Sequence, residues 1–228
     1  MTGSDPFRNS SELAAWAAEV LLSRGIDEVA GWRMLEYWVN VELYRAAQEG
    51  KAGPWRHLGN YEQPYVTDHP RPGAKTPTKW IDLVLAEPIL TAPERVVWME
   101  LKDLGRNVDT VRKNAKGLGL DLAALWRLRP VETQQTWLDP PKHAIDRGRL
   151  GEWNTLAPGL QQARHLISQI VIVPTPESAL ISPDELETIW LSSFAVRAKV
   201  DHANVIAEIG RAATQKFAVH ALVRDLPR

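Results

Sequence analysis

The stretch Trp80–Asp103, WIDLVLAEPILTAPERVVWMELKD, decides the fold. It reads as two apolar strands joined by a polar, proline-containing loop. Side chains alternate faces along a strand. In the second strand Val97, Met99 and Leu101 therefore point one way, and Trp98, Glu100 and Lys102 the other. In the first strand Asp82 shares a face with Trp80 and Val84, while Ile81, Leu83 and Leu85 face the opposite layer. If the strands pair so that Asp82 lies beside Glu100, two carboxylates and one ammonium converge. Adjacent carboxylates repel, so such a pair either keeps a proton or recruits a divalent cation. An acid and a lysine on one strand face also make an ordinary cross-strand ion pair, and that alternative stands beside the first.

Working outward, Leu104-Gly105 ends the second strand. A helix is expected from about Asn107 or Asp109 to Leu128, strongest in LDLAALWRL and weakened in its middle by Gly117 and Gly119. Upstream, Leu13, Trp16, Ala17, Val20 and Leu21 recur at helical spacing, with Ser10 or Ser11 as cap and Gly25 as stop. Asp27 suits the N-cap of a second helix running to about Gln48. In it Glu42 follows Leu35 by seven residues and Val39 by three, so it projects from the apolar side, while Glu36 lies nearer the flank. A carboxylate on an apolar face is costly unless paired or used. Residues 1–9 read as loose. Residues 49–78 are loop-rich with a short strand near Tyr65 and Val66, and 129–158 read as a long excursion. His165–Pro174 reads as a buried strand. Ser182-Pro183-Asp184-Glu185 opens a helix as a capping box, residues 201–215 suit either helix or strand, and Phe217–Val223 is a last strand.

Composition bounds the chemistry. The 228 residues carry 44% hydrophobic and 24% charged residues, which is the balance of a soluble globular protein, and one domain over 1–228 is expected. There is no cysteine, so disulfides, thiolate metal sites and a cysteine nucleophile are excluded, and a metal would be held by oxygen or imidazole. No signal peptide or membrane span is expected, which makes a cytoplasmic protein the simplest expectation. The net charge of −1 gives no global push towards nucleic acid. Arg106, Arg112, Lys113 and Lys116 nonetheless cluster after the second strand, where they suit either phosphate contacts or a solvated helix face. His143, His165 and His220 show no metal-site spacing. Trp80 and Trp98 are expected to pack in the core. The element order predicts an α/β protein with a central mixed β-sheet flanked by helices.

Asp82, then Glu100-Leu101-Lys102 ending a strand, then an amphipathic helix (GLDLAAL), with an acid-bearing helix before them (VELYRAA), resembles the PD-(D/E)XK nuclease superfamily. Ile81 stands where the family's signature has proline. The resemblance covers about residues 28–175. It implies a restriction-endonuclease-like core, with an extra N-terminal helix and C-terminal additions. It also implies hydrolysis of DNA phosphodiester bonds with Mg2+ or Mn2+. On that resemblance Asp82 and Glu100 hold the metal, Leu101 lends its carbonyl, Lys102 serves the attacking water and Glu42 is the added helix acid. A homodimer suits an enzyme that cuts both strands. The rival expectation is an inactive nuclease-fold module that binds nucleic acid or protein partners.

Overall fold

The computed structural model describes residues 5–29, 35–58, 63–67, 78–87, 93–105, 108–130, 133, 162–174, 181–200, 209–214 and 217–226. Along the chain these form α1 (Ser10–Ser23), α2 (Ile26–Val29), α3 (Leu35–Gln48), β1 (Arg56–His57), β2 (Gln63–Val66), β3 (Thr78–Ile81), β4 (Leu83–Glu87), β5 (Arg95–Asp103), α4 (Val108–Trp126), β6 (Arg164–Pro174), α5 (Pro183–Ala198), β7 (Gly210–Ala213) and β8 (Phe217–Asp225). Six strands make one mixed sheet in the order β1-β4-β5-β6-β8-β7. Its pairs are antiparallel except β5 with β6, which run parallel with α4 in the connection between them. Parallel neighbours need a long crossover, and a helix is its usual form.

The sheet is covered on both faces, so its central strands are mostly apolar on both sides. Val84, Trp98, Ile167, Val171 and Leu222 pack with Leu118 and Leu122 of α4 and Trp190 of α5. Leu83, Met99, Leu101, Ile170 and Val219 pack with Leu13 and Leu21 of α1 and Val39 of α3. The α/β architecture is therefore a mixed sheet between helical layers. No helix among the described residues is long and apolar enough to cross a membrane.

Most local signals act as the sequence suggests. Ser182 caps α5, its Oγ accepting from Glu185 N–H at 3.1 Å, with Pro183 in the first turn. The ambiguous 201–215 segment supplies β7, which pairs with β8. Three places differ. The cap of α1 is Asn9, whose Oδ1 accepts from Glu12 N–H at 2.8 Å, while Ser10 Oγ accepts from Val223 N–H at 3.0 Å and ties the helix to β8. Residues 5–9, before α1, are pinned rather than loose. Phe7 is buried against Trp55, and Asp5 accepts from Trp55 Nε1 at 2.7 Å while pairing with Arg95 at 2.8 Å.

The third difference matters most for function: the first strand of the opening stretch is two strands. Residues up to Ile81 pair with β2 in a separate two-stranded ribbon, and the main sheet resumes at Leu83. The break falls at Asp82. Ile81 accordingly packs in the layer of Trp98 and α4, not with Leu83 and Leu85. The expected single helix from Asp27 to Gln48 is described as α2 and α3, and residues 30–34 lie outside the described residues. So does most of 129–158, including His143. Its start docks on the ribbon through Arg129 N–H to Val66 O at 3.0 Å and Val66 N–H to Thr133 Oγ1 at 2.9 Å.

The two glycines of α4 separate by role. A Cβ on Gly119 would lie 2.5 Å from Ser193 Cβ and closer still to the Phe194 backbone, because α4 and α5 touch there. A Cβ on Gly117 meets nothing within 4 Å. Gly119→Ala is expected to cost about 1–3 kcal/mol through overpacking. Gly117→Ala should raise stability by about 0.5–1 kcal/mol through helix propensity. Urea denaturation of the two variants measures both signs.

Candidate active site

The break at Asp82 builds the site. Leu83 pairs with Met99, so the next position outward sets Asp82 against Glu100. Asp82 turns its carboxylate onto β5, where Oδ2 accepts from Leu101 N–H at 2.7 Å. The two carboxyls interact directly, the Asp82 charge pushing the Glu100 carboxyl up. In an extended strand a residue's N–H and C=O leave on the same edge. The Leu101 carbonyl therefore points to the edge that Asp82 occupies.

Lys102 stands beside this pair at the carboxyl end of β5. Its Nζ lies 3.2 Å from Glu36 Oε1 and 3.9 Å from Asp121 Oδ2. Glu36, from α3, also accepts from Asp103 N–H at 3.2 Å, so it clasps the end of the strand. Asp121, from α4, holds Lys79 of β3 at 3.2 Å. Two lysines, one from each sheet, are thus laced among four carboxyl groups: Glu36 and Asp121 from the two helical layers, Glu100 from β5 and Asp82 from the break before β4.

The electrostatics follow from burial. Glu100 is 7% exposed. Burial pushes its carboxyl well above the ordinary range, and the Asp82 and Asp121 carboxylates push it further against Lys102 and Lys79. Asp82 is raised to about 6, chiefly by burial and also by Glu36, against the Leu101 amide and Lys102. Two carboxyls buried side by side resist ionising together unless a cation lies between them. Burial alone would lower Lys102, but Glu36, Glu100, Asp121 and Asp82 outweigh it and hold the ammonium above its usual value. Lys102 is therefore a fixed positive charge and a hydrogen-bond donor, not a base.

This donor set fits a hard divalent cation. Mg2+ is bound by one or two carboxylates with water and substrate oxygens, not by a complete protein cage. A buried acid pair that retains a proton is a place where a cation can replace that proton. Among the described residues no three histidine, aspartate or glutamate side chains group closely enough to hold a metal by themselves. The protein's share would be Asp82, Glu100 and the Leu101 carbonyl.

Asp82, Glu100, Leu101 and Lys102 come together as the sequence suggests, but the helix acid differs. Glu42 is buried in ion pairs with Arg45 at 2.9 Å and Arg24 at 3.4 Å, and Glu36 takes the place at Lys102. Six residues separate the two glutamates, which is about 9 Å of rise and roughly a third of a turn out of phase, so one site cannot use both. Nothing in the residue order marked Glu36 over Glu42; in the structure Asn40, one turn beyond Glu36, is buried, so this flank of α3 is covered. Asp121 had no signal beyond its position in an amphipathic helix. Of the basic cluster, Arg112 pairs with Glu185 of α5 at 3.0 Å, Lys113 and Lys116 are exposed, and Arg106 lies outside the described residues. Trp98 is a core residue whose Nε1 donates to His165 Nδ1 at 3.0 Å.

Comparison with known protein families, with curated proteins and with solved structures gives no match.

The raised carboxyls make a pH prediction. Unfolded, both groups titrate near pH 4; folded, Asp82 is raised to about 6 and Glu100 well above its ordinary value. Between those values the native state holds more protons, so stability falls as pH rises. The contribution is fully present below the unfolded values and lost through the folded ones. Glu100→Gln removes that loss. Its melting temperature should exceed wild type by several degrees at neutral pH, at about 2–4 °C per kcal/mol for a chain of this size. The difference should vanish as pH falls to the ordinary carboxylate range. Calorimetry across pH measures it.

Proposed function

We propose that the protein is a divalent-cation-dependent nuclease that hydrolyses DNA phosphodiester bonds at the Asp82, Glu100 and Lys102 site. One observation carries the proposal: the strand register sets Asp82 against Glu100, the Asp82 carboxylate accepts from the amide of Leu101, and the Lys102 ammonium stands alongside. The fold supports it. An acid-bearing helix, an antiparallel pair and a helical crossover to a parallel strand are what a restriction-endonuclease-like core requires. The site's position supports it too, since open α/β sheets bind ligands beyond the carboxyl ends of their strands.

In this reading Asp82 and Glu100 hold Mg2+ or Mn2+, and the Leu101 carbonyl is directed to the same edge. The bound ion would neutralise charge on the phosphoryl group and lower the pKa of a water. Lys102, held protonated by its carboxylates, donates a hydrogen bond to the attacking water or to a phosphoryl oxygen. Glu36 and Asp121 restrain the Lys102 ammonium from both sides. Lys113 and Lys116 are available to phosphates farther along the duplex. The DNA substrate, a cytoplasmic setting and a homodimer all belong to this proposal.

The test is cleavage of supercoiled, linear and single-stranded DNA with Mg2+, Mn2+, Ca2+ or chelator. Cleavage is expected with Mg2+ or Mn2+ and should be lost with chelator. Asp82→Asn and Lys102→Ala should each lower the rate about 100-fold or more, the range for losing one preorganised electrostatic group. Glu36→Gln should lower it less, and Glu42→Gln should change stability rather than rate. DNA binding with no cleavage under any cation would instead favour an inactive nuclease-fold module.

A further inference from the structure

One buried group beside the acid pair is left without a partner. Gln169 of β6 is 0% exposed and lies directly across from Glu100 in the parallel register. Neighbouring strands carry paired side chains on one face, so Gln169 and Glu100 stand side by side under α4. The Gln169 Nε2 donates to Leu118 O of α4 at 3.2 Å. That contact fixes the orientation of the amide, since a carbonyl accepts only from the nitrogen. The Oε1 atom is buried and has no hydrogen-bond partner among the described residues.

The surroundings narrow what Oε1 can meet. On the other side of Gln169 in the sheet is Leu222, and along its own strand on the same face are Ile167 and Val171. None of these side chains carries a donor. The polar side chain flanking it in the sheet is Glu100, itself one of the two acids that the proposed site gives to the cation. An unsatisfied acceptor in this position is costly. Evolutionarily cheaper residues of the same size, such as leucine or methionine, would serve packing alone. A neutral oxygen beside two carboxyls is instead what a hydrated cation asks for, because waters bound to a cation present only hydrogens to their surroundings.

We infer that Gln169 Oε1 is a further oxygen of the cation site, accepting a hydrogen bond from a water held by the divalent ion at Asp82 and Glu100. The inference rests on the cation-site reading above. Gln169 is then a positioning residue: it orients the ion's hydration shell through an amide clamped to α4. Its contribution lies outside any grouping of acids and histidines alone.

The test is Mn2+ binding to the full chain by isothermal titration calorimetry, with melting temperatures measured in chelator. Wild type should bind Mn2+. Gln169→Met should weaken binding about 10–100-fold, the usual cost of losing a group that orients a metal's first-shell ligands. Its metal-free melting temperature should be unchanged or higher. Gln169→Glu, which keeps an acceptor oxygen but loses the Leu118 contact, should bind at least as tightly as wild type. If wild type and Gln169→Met bind Mn2+ equally, Gln169 is only a clamp on α4, and the inference fails while the site stands. If wild type binds no Mn2+, both fail. If Gln169→Met does not fold, Gln169→Glu decides alone, and weakened binding by that variant overturns the inference.

Discussion

The burial of two facing carboxyls, Asp82 and Glu100, is the constraint on which the rest of the arrangement depends. Each acid is buried by a different part of the chain. Glu100 sits on a central strand of the sheet, and Asp82 sits where the neighbouring strand leaves it. The break at Asp82 frees the edge of β5, so the Leu101 amide can hold Asp82 instead of pairing with another strand. The ribbon of β2 and β3 is the other consequence, because the chain must find new partners once it leaves the sheet. That ribbon returns Lys79 to the site, where it meets Asp121.

Such a site works against the stability of the fold. Buried acids with raised pKa values weaken the native state wherever they are forced to ionise, and an unsatisfied glutamine oxygen adds to that cost. The helical layers offset it. Leu118, Leu122 and Trp190 bury one face of the sheet and Leu13, Leu21 and Val39 the other. The cations share the task. Lys102 is restrained by Glu36 from one layer and Asp121 from the other, so the position of its ammonium reports on the packing of both. A site held in this way is preorganised by elements that also make the core, which is where precise geometry is easiest to maintain.

Much of this was legible from residue order because it depends on local rules. The alternation of Trp98, Glu100 and Lys102 fixes their shared face. The β-branched run of β6 marks a buried strand, and Ser182 with Pro183 marks a helix start. What was hidden depends on contacts distant in sequence. The bend at Asp82 follows from where its carboxylate goes, not from its neighbours, which continue the apolar pattern on both sides. Glu42 looked like the helix acid because it projects from an apolar face, but Arg24 of the preceding segment neutralises it there. Glu36 looked peripheral because it lies at a helix flank, and it is that flank which reaches over the end of β5. Asp121 and Gln169 gave no periodic signal, since each is one polar residue in an otherwise regular element.

The central claim is that the buried Asp82 and Glu100 carboxyls are the seat of a divalent cation. The most direct measurement is a crystal structure after soaking in Mn2+, with anomalous scattering to locate the ion. The account predicts one Mn2+ between the two carboxyls, bonded to an oxygen of each at about 2.0–2.2 Å. Mn2+ bound only elsewhere, with none between Asp82 and Glu100, would contradict it.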